Sequence, residues 1–396
     1  MSVTFPHGFL ASGVTAGFKA SGRLDLGLLL CEGDAAVAGA FTTNAFPAAP
    51  VQLDRRRVEA GAARAVVVNS GQANAGTGSA GLRDAEAMAE RTGRTLGCAA
   101  DRVLVCSTGV IGPRVPLDLL DASLPKATAA LRDDGGGEFA EAILTTDSRA
   151  KQAEATIGRW RVGGCAKGAG MIGPRLAAHG LGTLLVFLTT DAAAEPAALR
   201  ELVSDHVVPA WNGVTVDACP STNDTVLLLA GGAAGGPSVQ PGSVEARDLG
   251  AAVGAVCESL ARLVVADAEG SSKTLVVQVN GATDAEAART VGLAVASSPL
   301  VKTALFGGDP NPGRFLQAIG ASGVAFDGSA VSAWLGDVAV VDRGTVPDPV
   351  PAGAAQLMAG PEVLLRIDLN GGPGSATVFG CDLSYDYVEI NSRYTT

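Results

Sequence analysis

Histidine is scarce: His7, His179 and His206 are the only three in 396 residues. That leaves too few imidazoles for a histidine-based metal site and few partners for a Ser-His-Asp triad. Acid–base chemistry in this chain has to come from another group. Basic residues are outnumbered, 29 Lys and Arg against 40 Asp and Glu, for a net charge of −11. Phosphate recognition needs a basic face, so nucleic acid is not an expected partner. The seven cysteines (Cys31, Cys98, Cys106, Cys165, Cys219, Cys257, Cys381) are odd in number and scattered, and none forms a C-x-x-C pair. This argues against a disulfide framework or a zinc site and makes most of them small buried apolar residues. No basic region followed by an apolar run opens the chain. The uncharged run 225–244 is broken by Gly231, Gly232, Gly235, Gly236, Pro237 and Pro241, so it reads as a strand followed by a loop. A cytoplasmic location and no membrane partner are the expectation.

Glycine is abundant, 52 residues, and 47% of the chain is hydrophobic while only 4% is aromatic. That apolar share excludes intrinsic disorder, and the lack of a three-residue glycine period excludes a collagen-like chain. The excess implies many tight turns and close backbone approaches. Short β-like runs alternate with Ala-rich helical stretches. Strands are expected at 65–68, 103–106, 184–188, 225–229 and 274–279, helices at 82–96 and 245–265, and a Gly/Pro loop at 231–243. Mixed α and β without a dinucleotide glycine fingerprint favours a layered α+β architecture over a Rossmann fold.

Four segments could carry chemistry. In 106–112 (CSTGVIG) a strand runs into a Thr-Gly turn, whose outward N–H groups could hold an oxyanion; an ordinary strand–turn is the plainer reading. In 167–191, Lys167-Gly168-Ala169-Gly170 lacks the order of a phosphate loop, with no Ser or Thr after the lysine, so nucleotide binding is rejected. In the same segment Gly182-Thr183 precedes a buried strand. A Gly-Thr junction there is usually only a strand start, but it also suits a self-cleaving N-terminal nucleophile. The freed α-amine of Thr183, titrating near ~8, could then serve as base for its own hydroxyl with no histidine required. In 267–273, Glu269 and Lys273 stand four apart, which suits either an i,i+4 salt bridge or recognition of an amino-acid substrate. The C-terminal run 389–396 carries apolar and aromatic residues almost to its end, as a tied-down tail would.

Taken together, these segments resemble the ornithine acetyltransferase, or glutamate N-acetyltransferase, family. The resemblance runs through Asn69-Ser70-Gly71-Gln72-Ala73-Asn74-Ala75, Ser107-Thr108-Gly109-Val110-Ile111-Gly112, Thr145-Thr146-Asp147 and Ala166-Lys167-Gly168-Ala169-Gly170-Met171-Ile172. It continues with Thr183, Thr189-Thr190-Asp191, Ser221-Thr222-Asn223-Asp224-Thr225, Glu269-Gly270, Ser298-Pro299-Leu300-Val301-Lys302-Thr303, Asp309-Pro310-Asn311, Gly380-Cys381-Asp382-Leu383 and Tyr394-Thr395-Thr396. It implies an α+β fold: a layered αββα sandwich with a second, C-terminal α/β lobe. It implies autocleavage between Gly182 and Thr183 into an alpha chain, 1–182, and a beta chain, 183–396, assembled as two alpha plus two beta chains. It assigns Thr183 as nucleophile, Thr108 and Gly109 as oxyanion hole, and Thr145, Lys167, Thr183, Glu269, Asn391 and Thr396 as substrate contacts. No cofactor and no metal are implied. The activity implied is an acyl transfer from N2-acetyl-L-ornithine to L-glutamate in arginine biosynthesis, with acetyl-CoA as a second donor left open. A related acyltransferase of secondary metabolism and a self-processing amidase or peptidase are the alternatives.

Three positions depart from the family's pattern. Residues 178–182 (AHGLG) look like an insertion before the nucleophile, which places His179 near the cut. Cys219-Pro220 replaces a usually polar pair, and Pro312 stands where the family usually has Trp.

Overall fold

The structure, a computed structural model, describes residues 2–177 and 184–393. The described chain gathers into two compact units. The first takes the residues up to Asn212 together with Cys219–Val264; the second takes Gly213–Ala218 and the residues from Val265 on.

The first unit is built on nine strands: β1 (Phe9–Val14), β2 (Leu26–Thr42), β3 (Ala62–Gln72), β4 (Val103–Val110), β5 (Lys151–Ile157), β6 (Trp160–Lys167), β7 (Leu176–Ala177), β8 (Leu185–Thr190) and β9 (Thr225–Ala230). Their order is β4-β3-β2-β9-β8-β6-β5, with β1 and β7 also paired to β2. The long strand β2 serves two half-sheets. Its first part pairs with β1 and β3, its last part with β9, and the register shifts between Leu30 and Ala35. Glu32, Gly33 and Asp34 are exposed at that break.

Side-chain alternation then makes two layers of one sheet. Leu29, Cys31, Val66, Val68, Leu104 and Cys106 of one half share a core with Cys165, Leu185, Phe187, Leu227 and Leu229 of the other. The intervening residues Leu26, Leu28, Ala65, Val67, Val103 and Val105 face outward onto a second core. Helices α1 (Ala49–Val58), α2 (Gly78–Leu96) and α3 (Leu117–Ala129) line that core with Leu53, Met88 and Leu120. Next along the chain come α4 (Gly136–Ala142), α5 (Pro196–Leu202), α6 (Val208–Asn212) and α7 (Val244–Ala266). The outer face of β6 meets α7, where Gly164 leaves room for Leu188, Val256 and Leu260. Helix–sheet–sheet–helix is the expected αββα layering. Helix α7 is long and apolar enough to cross a membrane by length and composition, yet more than half of its most apolar stretch is buried.

The second unit has a five-stranded sheet of β10 (Thr274–Ala282), β11 (Ser332–Leu335), β12 (Val338–Val341), β13 (Glu362–Asp368) and β14 (Gly374–Cys381), in the order β12-β11-β13-β10-β14. Helices α8 (Ala285–Ser297), α9 (Pro299–Gly307), α10 (Pro312–Gly320) and α11 (Gly353–Met358) supply Val291, Leu305, Phe315 and Met358 to its core. Asp284, Ser298 and Asn311 cap α8, α9 and α10, each side chain accepting from a backbone N–H of the first turn. The last helix, α12 (Tyr385–Arg393), has no buried residue.

All the expected strands and helices are present, with two differences. The Thr-Gly turn expected after Cys106 is strand instead: β4 runs on to Val110 because its ladder with β3 continues through Gln72. The Glu269–Lys273 salt bridge is not formed. Lys273 donates instead to the carbonyls of Leu305 and Met358, both at 2.8 Å. The cysteines are free. Five are buried, Cys98 is half-buried and Cys219 is exposed.

Candidate active site

Strands β3 and β4 run parallel, with Ser70 opposite Thr108 and Gly71 opposite Gly109. Both glycines hold left-handed φ, +139° and +127°. A Cβ on Gly109 would overlap the Gly71 backbone, and one on Gly71 would lie 2.6 Å from the Phe18 carbonyl oxygen. The two strands therefore kink together at a place where only glycine fits. Just before the kink, the buried Thr108 points its hydroxyl at Lys167, whose Nζ donates to Oγ1 at 3.2 Å. A hydroxyl that accepts from an ammonium keeps its own proton for another acceptor.

A buried carboxylate, Asp147, organises the neighbourhood. It accepts from Lys151 Nζ at 2.6 Å, from the Gly168 N–H at 2.6 Å and from the Thr145 N–H at 3.1 Å. Both ion-pair side chains are fully buried. Burial pushes the Asp147 carboxyl up, but the ammoniums of Lys167 and Lys151 outweigh it and hold it at about 2. Asp147 thus ties the Thr145 backbone to the one following Lys167.

Asn223, just before β9, holds the ends of β3 and β4. Its amide nitrogen donates to the Ala73 carbonyl at 2.7 Å and the Ser107 carbonyl at 2.8 Å. Its oxygen accepts from the Thr222 hydroxyl at 2.6 Å, and Ser107 donates to Asn69 at 2.6 Å. These groups are fully buried or nearly so, and each bond answers a group that would otherwise be desolvated without a partner.

Of the residues singled out in the sequence, Thr108, Gly109, Thr145 and Lys167 are thereby linked. Glu269 and Asn391 lie in the second unit and bond each other, Asn391 Nδ2 to Glu269 Oε2 at 3.0 Å. Tyr387 on the same helix donates to Asp217 at 3.2 Å. Gly182, Thr183, His179 and Thr396 lie outside the described residues. The chain on either side of Thr183 is anchored. The Asn212 side chain bonds both the N–H and the C=O of Leu176, and the Leu184 carbonyl accepts from the Thr225 N–H at 2.7 Å. Sequence reasoning gave no role to Asp147, Lys151 or Asn223. The i,i+4 spacing of Asp147 and Lys151 was the available signal for the first two.

A profile of the ArgJ family matches residues 10–396. The chain is 45% identical over 403 residues to the arginine biosynthesis bifunctional protein ArgJ of Symbiobacterium thermophilum, covering 100% of this chain and 98% of that one. The chain belongs to the ArgJ family. The ArgJ protein of Synechococcus sp. is 42% identical over 409 residues, covering 100% and 97% of the two chains. A solved ornithine acetyltransferase from Mycobacterium tuberculosis, complexed with ornithine, is 47% identical over 44% of this chain and 96% of its own, with a TM-score of 0.43. One of the departures of this ArgJ chain has a structural reason: Pro312 is the first residue of α10, where the missing N–H costs nothing. Cys219 is exposed.

Proposed function

We propose that this ArgJ chain is a self-processing acetyltransferase that moves an acetyl group from N2-acetyl-L-ornithine to L-glutamate. The family makes it an acyltransferase of arginine biosynthesis. The observation that carries the reading into this chain is the contact of Lys167 with Thr108, one residue before the glycine kink. In the proposed cycle the Thr183 hydroxyl, deprotonated by the α-amine freed on cleavage, attacks the amide carbonyl of the donor. The C–N bond breaks, ornithine leaves with the proton, and an acetyl ester stays on Thr183. Glutamate then takes the acetyl group through its amine. The Thr108 hydroxyl, oriented by Lys167, and the backbone at Gly109 stabilise the oxyanion; one such donor contributes ~3–4 kcal/mol in comparable enzymes.

Thr145, Lys167, Glu269, Asn391 and Thr396 are assigned as substrate contacts, with the alpha chain as 1–182 and the beta chain as 183–396. A cytoplasmic assembly of two alpha and two beta chains belongs to the same reading. Denaturing mass spectrometry tests its first step: two fragments divided before Thr183 are expected, and one intact chain for Thr183→Ala. A single intact wild-type chain overturns the mechanism. Acetyl transfer from N-acetylornithine to glutamate tests the second, with release of free acetate alone marking an amidase. Acetyl-CoA in place of N-acetylornithine tests whether the second activity implied by the relatives' name is present.

A further inference from the structure

Lys19 is a cation, passed over in the sequence reading, on a loop that packs against the backbone of Gly71. It lies in the loop between β1 and β2, and that loop is built around one carboxylate. Asp25, fully buried, accepts from the N–H groups of Ala16 at 2.6 Å, Gly17 at 3.1 Å and Lys19 at 2.8 Å. The loop is also fixed to the glycine kink. Gln72 Nε2 donates to the Phe18 carbonyl at 3.0 Å, and that carbonyl is the atom crowding Gly71. Phe18 is buried in the outer core of the sheet. Lys19 therefore follows directly on the residue whose carbonyl lies against Gly71, the β3 partner of Gly109.

The ammonium of Lys19 is half-buried and donates to the Leu24 carbonyl at 2.7 Å, which uses one of its three protons. The other charges that bear on it are Asp25, Arg23, Lys167 and Asp147. Two of these are cations, and the carboxylates have other duties. Asp147 is paired with Lys151, and Asp25 bonds three backbone N–H groups. Lys167 is engaged with Thr108. Burial first, with Arg23 and Lys167 added, lowers the Lys19 amine to about 8 against the pull of Asp25 and Asp147. Two ammoniums that bear on each other in this way are relieved by a bound anion.

We propose that Lys19 is a substrate-binding residue whose ammonium takes a carboxylate of the amino-acid substrate, leaving Lys167 to orient Thr108. This deepens the acetyltransferase reading and rests on it. The site then selects N-acyl amino acids with a free carboxylate.

The test uses the full chain with Lys19→Gln and Lys19→Arg. Steady-state transfer is measured with N-acetylornithine and with its carboxamide, across pH 6.5 to 9.5. For Lys19→Gln, kcat/KM for N-acetylornithine is expected to fall about 10-fold or more, the usual loss for one charged hydrogen bond. For the carboxamide it is expected to stay within about twofold of wild type. Lys19→Arg is expected to restore most of the loss. It should also remove the decline expected of the wild type as pH rises through about 8, because guanidinium stays charged there. A fall of equal size on both substrates marks a merely structural role and overturns the inference. So does an unchanged kcat/KM for N-acetylornithine in Lys19→Gln. A wild-type chain without transfer activity overturns instead the reading on which the inference rests.

Discussion

A fully buried ion pair sits at Asp147 and Lys151, and what it does depends on the charges around it. Asp147 titrates at about 2, below its ordinary 3.8, so the folded state favours the ionised form. Its stabilisation is complete above about pH 4 and is lost as pH falls through about 2. Lys151→Met removes one of the two cations that hold the carboxyl down. Breaking a buried pair in this way costs about 3–5 kcal/mol. The expected outcome is a lower urea midpoint at neutral pH and an acid transition moved to higher pH, both followed by circular dichroism. Gly109→Ala acts differently, through shape. At φ +127° and with the Gly71 backbone in the way, an added methyl has to prise β3 from β4. A loss of about 2–3 kcal/mol in stability is expected, and any folded fraction should show a kcat far below wild type, since the proposed oxyanion donors move with the strand. An alanine variant of full stability and activity would show that the kink is not needed.

At the scale of elements, short side-chain bonds hold the ends of strands where the chemistry is proposed. Asn212 in α6 bonds both backbone groups of Leu176, ahead of the proposed cleavage point. Asn212→Ala should release that backbone and slow the appearance of the two fragments by about 10-fold, the effect of losing two hydrogen bonds. A mass-spectrometric time course on freshly synthesised chain measures it, and an unchanged rate would mean that the clamp plays no part. Asn223→Ala should loosen the ends of β3 and β4 together, because one amide serves both Ala73 and Ser107. Faster hydrogen exchange at 70–74 and 106–110, with the far edge at β5 unaffected, is the expected pattern. The elements themselves were legible in the sequence wherever apolar runs were continuous, as at 65–68 and 225–229, since a strand buried on both faces needs no alternation to be seen. The ends were not. Thr108-Gly109 looked like a turn because local sequence shows the glycine but not the partner strand that carries the ladder onward. Glu269 and Lys273 looked like a pair because spacing gives proximity on a helix, whereas both fall after α7 has ended and each finds a partner far along the chain. The bonds from Lys167 to Thr108 and from Gly168 to Asp147 join residues 59 and 21 positions apart, and no local pattern encodes them.

At the scale of the molecule, the sheet order matters most. Strands β8 and β9 follow the proposed cut, and they lie between β2 and β6, which precede it. Every neighbour contact across β2-β9 and β8-β6 would join the two proposed fragments, by antiparallel ladders on both sides. Fragment 1–182 alone would lack the strands that stand between β2 and β6. Cleaved protein denatured in guanidinium and diluted is therefore expected to recover little activity. The uncut Thr183→Ala chain should regain its full circular dichroism under the same conditions. Equal recovery of both would contradict this.

With the proposed cut, the interleaved sheet would make assembly a one-way passage. Covalent continuity guides β8 and β9 into the gap between β2 and β6 while the chain is still one polypeptide. The proposed cut would then erase that guide. From that moment the protein's lifetime would be set by the height of its unfolding barrier rather than by its free energy of folding, because a cleaved molecule that opens has no single chain left to lead it back.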